Sequence, residues 1–132
     1  MNTATSSLSA AEGMPVNKSA RELVLAYVQA LNDENFKLAR RYVSDQMEFS
    51  GALASMQGAE AIFAELGRMR LKYDIKKVFA DVNDVCIFYD VTLSGVKLFT
   101  CGWYQVEDQK IRSLSRLRSA TRACRESRVK HV

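Results

Sequence analysis

Asp90 is the acid on which a reaction in this chain would turn, because it lies within the strongest strand signal, Val85 to Leu93. Side chains along an extended strand alternate between two faces. Val85, Ile87, Tyr89, Val91 and Leu93 form one face; Cys86, Phe88, Asp90 and Thr92 form the other. The continuous apolar face is the better core candidate, which puts Asp90 outside. In the reverse assignment Asp90 is a buried acid with a raised pKa and a candidate general base. Other reactive residue types offer less. The three cysteines, Cys86, Cys101 and Cys124, form no CxxC pair, and the single histidine, His131, is the second-last residue. A zinc site of Cys and His is not expected, nor is nucleophilic catalysis by a Cys-His pair. Cys86 and Cys101 sit in apolar runs and read as small buried hydrophobes. No metal or cofactor is expected.

The chain has 132 residues, 48% of them apolar and 26% charged, with one proline. That is the length and composition of one soluble globular domain. No apolar run approaches the roughly 18 residues of a membrane span, so no membrane partner is expected. Met1 to Met14 lacks the basic and apolar regions of a signal peptide, and a cytoplasmic location is the expectation. The formal net charge of +4 is unevenly placed. From Lys110 onward Arg112, Arg116, Arg118 and further bases face only Glu126, whereas acids slightly outnumber bases before that point. The run reads as a solvated, basic end that aids solubility. It lacks the interleaved aromatics of a single-strand binder, and nucleic acid is not expected as a partner. The alternative is an interaction module whose Arg-rich C-terminus engages a protein or nucleic acid, with steeply salt-dependent binding.

Residues 1–17, rich in Ser, Thr and Ala, read as a disordered leader, residues 18–120 as the domain, and residues 121–132 as a basic C-terminal tail. Ser19-Ala20-Arg21-Glu22 is a capping box. Leu23, Tyr27, Ala30 and Leu31 then recur at helical spacing to about Asn32. Phe36, Ala39 and Val43 predict a second, short helix, and Met47-Glu48-Phe49 an edge strand. Gly51 to Gly58 reads as a loop. Ala59, Ile62, Phe63, Leu66 and Met69 predict a third amphipathic helix, frayed near Gly67. From Lys72 the period becomes two. Strands through Tyr73 to Phe79, Val85 to Leu93, Val96 to Val106 and Ile111 to Leu117 are separated by Val82-Asn83-Asp84, Ser94-Gly95 and Glu107-Asp108-Gln109. Helices followed by hairpin-linked strands predict an α+β domain with an antiparallel sheet packed on helices.

Within these elements, Tyr27-Val28-Gln29-Ala30-Leu31-Asn32-Asp33-Glu34-Asn35-Phe36 resembles the Y-x-x-A-x-N-x-x-D-F opening of SnoaL-like and NTF2-like proteins. Gln57-Gly58-Ala59-Glu60-Ala61-Ile62 resembles their entry into the third helix, and the stretches Val78 to Val85 and Trp103 to Ile111 resemble their hairpins. The resemblance, over Ser19 to Ser119, implies a cone-shaped NTF2-like fold. Three N-terminal helices close the open side of a strongly curved sheet over a pocket. It also implies a homodimer through the outer face of the sheet.

In ketosteroid isomerases of this fold an aspartate after the first strand takes the proton, and a first-helix tyrosine holds the developing oxyanion. The resemblance assigns the tyrosine role to Tyr27, a good hydrogen-bond donor if buried; packing is the competing reading. The aspartate has no counterpart, since Ser50 and Gly51 follow Met47-Glu48-Phe49. Glu48 points away from the cavity if Met47 and Phe49 point in. The second acid falls on Cys101. Cyclase chemistry lacks its histidine, and an epoxide hydrolase-like Asp-Arg-Asp cluster needs Asp90, Arg68 or Arg70 to turn inward. The expected pocket lining is Tyr27, Phe49, Phe63, Phe99, Cys101 and Trp103, the last three on one strand face; filling of the cone by these residues is the competing reading. The preferred function is binding of a small apolar molecule without the usual catalytic acids. The alternative is an isomerase, cyclase or epoxide hydrolase-like enzyme on a small carbonyl or epoxide, with Tyr27 as electrophile and Asp90 as base.

Overall fold

The capping box at Ser19 starts the fold as its spacing dictates. Ser19 Oγ accepts from the Glu22 amide at 3.1 Å, and Glu22 Oε1 accepts from the Ser19 amide at 3.2 Å. The computed structural model describes residues 18–51 and 54–118; the predicted leader and the tail beyond 120 lie outside the described residues. Helix α1 spans Ala20–Asn32 and buries Leu23, Val24, Tyr27, Val28 and Leu31 along one face. Helix α2, Phe36–Arg41, is capped by the Asn35 side chain. It ends before Val43, which opens strand β1, Val43–Ser50, instead of closing a helix. A short strand β2, Ser55–Gln57, follows, then helix α3, Ala59–Met69. Gly67 does not break α3, which runs through it to Met69.

Strands β3 (Lys72–Asp81), β4 (Asp84–Leu93), β5 (Val96–Glu107) and β6 (Lys110–Arg118) complete a six-stranded sheet in the order β2-β1-β6-β5-β4-β3. Four pairings are antiparallel, but β1 runs parallel to β6. The sheet is therefore mixed where hairpin logic alone predicts an antiparallel one. That parallel pair also makes β1 interior to the sheet, leaving β2 and β3 as the edges. The expected Gly51–Gly58 loop supplies the β2 edge.

Two hairpin registers decide which side chains of β5 and β6 face the cone. Ser94-Gly95 joins β4 to β5 with both residues at positive φ, the conformation that matches strand twist, and pairs Leu93 with Val96. Asp108-Gln109 does the same between β5 and β6, pairing Glu107 with Lys110. A bulge then intervenes between Gln105 and Val106, so that Gly102 sits opposite Arg116. The concave face of the sheet carries Tyr73, Val85, Ile87, Tyr89, Tyr104, Ile111 and Leu114 into the core against α1 and α3.

Candidate functional site

The interior of the cone is built around tyrosines. Tyr27 from α1, Tyr73 from β3, Tyr89 from β4 and Tyr104 from β5 are all buried. Tyr89 and Tyr104 share a hydrogen bond of 2.7 Å between their hydroxyls. Their approach depends on Gly102, the one residue between them on the sheet with no side chain: a Cβ there would stand 2.4 Å from Tyr89 Oη. The Tyr27 ring lies edge-on to Tyr104 at 6.3 Å and to Phe63 at 6.4 Å, while Tyr73 leans on Tyr89 at 5.1 Å.

Into this aromatic box β6 inserts a cation. The Arg116 guanidinium stands 5.7 Å from the Phe49 ring centre and 5.8 Å from those of Tyr73 and Tyr89. Such placement over ring faces is electrostatically favourable, and more so when desolvated. Its Nη2 reaches Tyr89 Oη at 3.4 Å. Its Nε is shut off from solvent with no hydrogen-bond partner. Among the described residues, no carboxylate forms an ion pair with it. Burial works against the charge, while the neighbouring hydroxyl oxygens of Tyr89, Tyr73 and Tyr104 favour it, and the Arg116 pKa lies above its ordinary value. Burial likewise pushes the phenols of Tyr27, Tyr73 and Tyr104 up. Arg116 stays charged and these three phenols stay protonated donors at any ordinary pH.

A cavity of about 60 Å³ remains beside this group, between α3 and the sheet. Tyr27, Tyr73, Tyr104 and Arg116 line it together with Met47 and Phe49; Met56, Leu66 and Met69 belong to the same wall. Glu65 is the one carboxylate among its lining residues, and it is ion-paired to Arg68. A wider cleft of about 650 Å³ lies elsewhere, beside β1 and the β5–β6 turn. Its walls mix Asp45, Glu48, Glu107 and Asp108 with Lys110 and Arg112, as solvated surface does. We take the smaller cavity as the site, since apolar walls around a few convergent polar groups are what small-molecule recognition uses.

The expected site residues divide between the two faces. Tyr27 and Phe49 line the cavity, and Phe63 packs on Tyr27 just behind it. Glu48 points out, hydrogen-bonded by Gln57 at 3.1 Å. Asp90 is on the outer face, 3.7 Å from Lys76 Nζ, so it is not a base for anything held by Tyr27. Phe99, Cys101 and Trp103 are also on the outer face, contrary to the expected lining. Asp90 pairs with Phe99 and Phe88 with Cys101 across β4 and β5, and directly paired residues share a face. Trp103 is 44% exposed and donates its indole N–H to Asp84 at 2.9 Å. Arg68 pairs with Glu65 and Arg70 with Glu34, so no Asp-Arg-Asp cluster forms from these residues. Among the described residues, no group of three His, Cys, Asp or Glu side chains is placed to hold a metal ion. No described helix is long and apolar enough to cross a membrane.

Three helices over a curved sheet, with a sheltered cavity between them, define an NTF2-like α+β cone. The model of the SnoaL-like domain matches residues 24–114, and the chain belongs to that family. An NTF2-like protein of unknown function from Cytophaga hutchinsonii is 31% identical, covering 84% of this chain and 99% of its own, with a TM-score of 0.77. Two more distant structures share the fold. Bal32a, from a soil-derived mobile gene cassette, is 17% identical over 81% of this chain and 94% of its own, with a TM-score of 0.71. An LEH-like epoxide hydrolase from M. tuberculosis is 20% identical over 75% of this chain and 81% of its own, with a TM-score of 0.66. No curated protein matches the chain in sequence.

Proposed function

We propose that this SnoaL-like chain binds a small, mostly apolar molecule in the cone cavity and does not use the acid–base pair associated with the fold's enzymes. The observation that supports this most is the lining. Tyr27, Met47, Phe49, Met56, Leu66 and Met69 give apolar or aromatic walls, and Arg116, the tyrosine hydroxyls and Glu65 are the few polar groups among them. The volume of about 60 Å³ is small beside the ~300–1,000 Å³ of drug-sized pockets. The deepest part of the ligand is then a group of a few heavy atoms. The remainder lies along Met56, Leu66 and Met69, whose flexible side chains re-pack readily around irregular shapes. Titration with short amphiphiles, followed at the methionine ε-methyl groups, tests this reading.

An enzyme of the isomerase or epoxide hydrolase kind needs a base facing Tyr27. Asp90 faces the opposite way, and Glu65 is engaged by Arg68. Ligand binding in the cone is therefore indifferent to Asp90→Asn.

The outer face supports a homodimer as part of the same proposal. Phe79, 54% exposed, packs edge-on to Phe88 at 6.0 Å, and Phe88 stacks on Phe99 at 6.1 Å; Trp103 lies on the same face. An exposed aromatic patch of this kind marks an interaction surface, and a second copy of the chain is the partner proposed for it. Sedimentation of the native chain should give twice the 14.9 kDa chain mass, and Phe88→Glu should return it to the monomer. A native chain that sediments as a monomer at tens of micromolar (about ten times a micromolar Kd) would remove the dimer from the account.

A further inference from the structure

The Arg116 guanidinium is an incomplete interaction. A charge withdrawn from water is costly unless it is paired and hydrogen-bonded. Arginine carries five donors in a rigid fork suited to planar acids. Here the guanidinium has ring faces on three sides, a long contact to the Tyr89 hydroxyl with that of Tyr73 nearby, and an Nε shut off from solvent that donates to nothing. Aromatic faces attract the cation but accept few directed hydrogen bonds. Arg116 also lines the cavity, with the hydroxyl-bearing side chains of Tyr27, Tyr73 and Tyr104 beside it.

We propose that the ligand of the cone is a small monocarboxylic acid, its carboxylate docked on Arg116 among the tyrosines and its apolar part extending past Met56, Leu66 and Met69. This rests on the ligand-binding reading above and adds the charge class to it. Two features select a monocarboxylate among anions. The inner volume of about 60 Å³ suits a planar three-atom group. A single half-buried cation balances a single negative charge, leaving a phosphate dianion unpaired.

The test compares hexanoate with hexanamide, which have the same shape and differ in charge. Calorimetric titration of the full chain should show hexanoate binding at least ~10-fold more tightly, the effect of a hydrogen-bonded charge pair over a neutral one. Arg116→Met should erase that preference while leaving the circular dichroism spectrum unchanged and thermal stability about the same, because methionine keeps apolar contact with the rings and removes a half-buried Nε that has no hydrogen-bond partner. Should that variant not fold, Arg116→Gln serves, and the native chain's preference between acid and amide already decides the matter. Hexanamide bound as tightly as hexanoate, or an undiminished preference in the folded Arg116 variant, overturns the proposal while leaving ligand binding standing. Binding of neither compound overturns both.

Discussion

Replacing Gly102 by alanine is expected to lower the melting temperature by roughly 8–40 °C. The added Cβ would stand 2.4 Å from Tyr89 Oη, 3.1 Å from the Tyr104 ring and 3.2 Å from a Leu114 methyl. An exposed tyrosine would swing aside at little cost. Tyr89 is fully buried and hydrogen-bonded to Tyr104, so it moves only by displacing its neighbours. Overpacking of this sort costs about 1–3 kcal/mol. Losing the buried Tyr89–Tyr104 hydrogen bond adds roughly 1–2 kcal/mol. A domain of about 100 residues loses some 4–8 °C per kcal/mol, which gives the stated range. Thermal denaturation checks the single variant, and Gly102→Ala combined with Tyr89→Phe checks the cause. Removing the hydroxyl frees the space that alanine needs, so the double variant should melt above Gly102→Ala alone. If it melts lower still, the clash with Tyr89 is not what makes Gly102 necessary.

Asn32→Ala should be almost as damaging, at roughly 2–4 kcal/mol for two backbone groups left without partners. Asn32 is the last residue of α1. Its Oδ1 accepts from the Tyr73 amide at 2.7 Å, and its Nδ2 donates to the Tyr73 carbonyl at 2.9 Å. β3 is the sheet edge, so the side chain stands in for the next strand at the point where one is missing. The clamp is reinforced by Lys72 Nζ, which donates to the Asn32 carbonyl at 2.8 Å and pairs with Glu34 at 3.0 Å. Asn32→Asp keeps the acceptor but turns a carboxylate oxygen toward the Tyr73 carbonyl, and should destabilise as well. Denaturant unfolding measures the cost, and hydrogen exchange at the Tyr73 amide locates it. A Tyr73 amide as protected in Asn32→Ala as in the native chain would show that the bridge is not what secures the edge. Because Tyr73 forms one wall around Arg116, loosening this edge should also loosen the site.

That asparagine was legible as part of a motif, although its task shows only in the fold. The capping box, the three helices and the long strands follow from local signals: caps, the 3.6-residue period and the two-residue period. The inner face of β4 was equally legible, because Val85, Ile87, Tyr89 and Val91 form a continuous apolar face, whereas the other face carries Asp90 and Thr92 beside Cys86 and Phe88; the first set is indeed buried. The β5 face was not. Phe99, Cys101 and Trp103 on one side and Tyr104 and Val106 on the other are both apolar enough to be core. The two-residue turn at Ser94-Gly95 resolves this, since it pairs Asp90 with Phe99. Once Asp90 is outside, Phe99, Cys101 and Trp103 must be outside too.

Arg116 was hidden for a different reason. It lies in a run of basic residues that reads as solvated surface. Continuing the Glu107–Lys110 pairing without interruption would set Arg116 opposite Cys101, on the outer face. The bulge after Gln105 shifts the register by one residue and brings Arg116 opposite Gly102, into the cone. No alternation pattern contains that shift. The mixed sheet was beyond local signals for a similar reason: β1 and β6 meet across most of the chain, in a parallel pairing that neither sequence announces.

The central claim, that the cone is a binding site and not merely a filled core, is tested most directly by methyl NMR of the methionines. Of the five, Met47, Met56 and Met69 line the cavity. Titration with hexanoate should shift the ε-methyl signals of these three in a saturable way. Three cavity methyls that stay fixed up to millimolar hexanoate and hexanamide alike, roughly the weak end of specific binding, would show a cone closed to ligands and contradict the account.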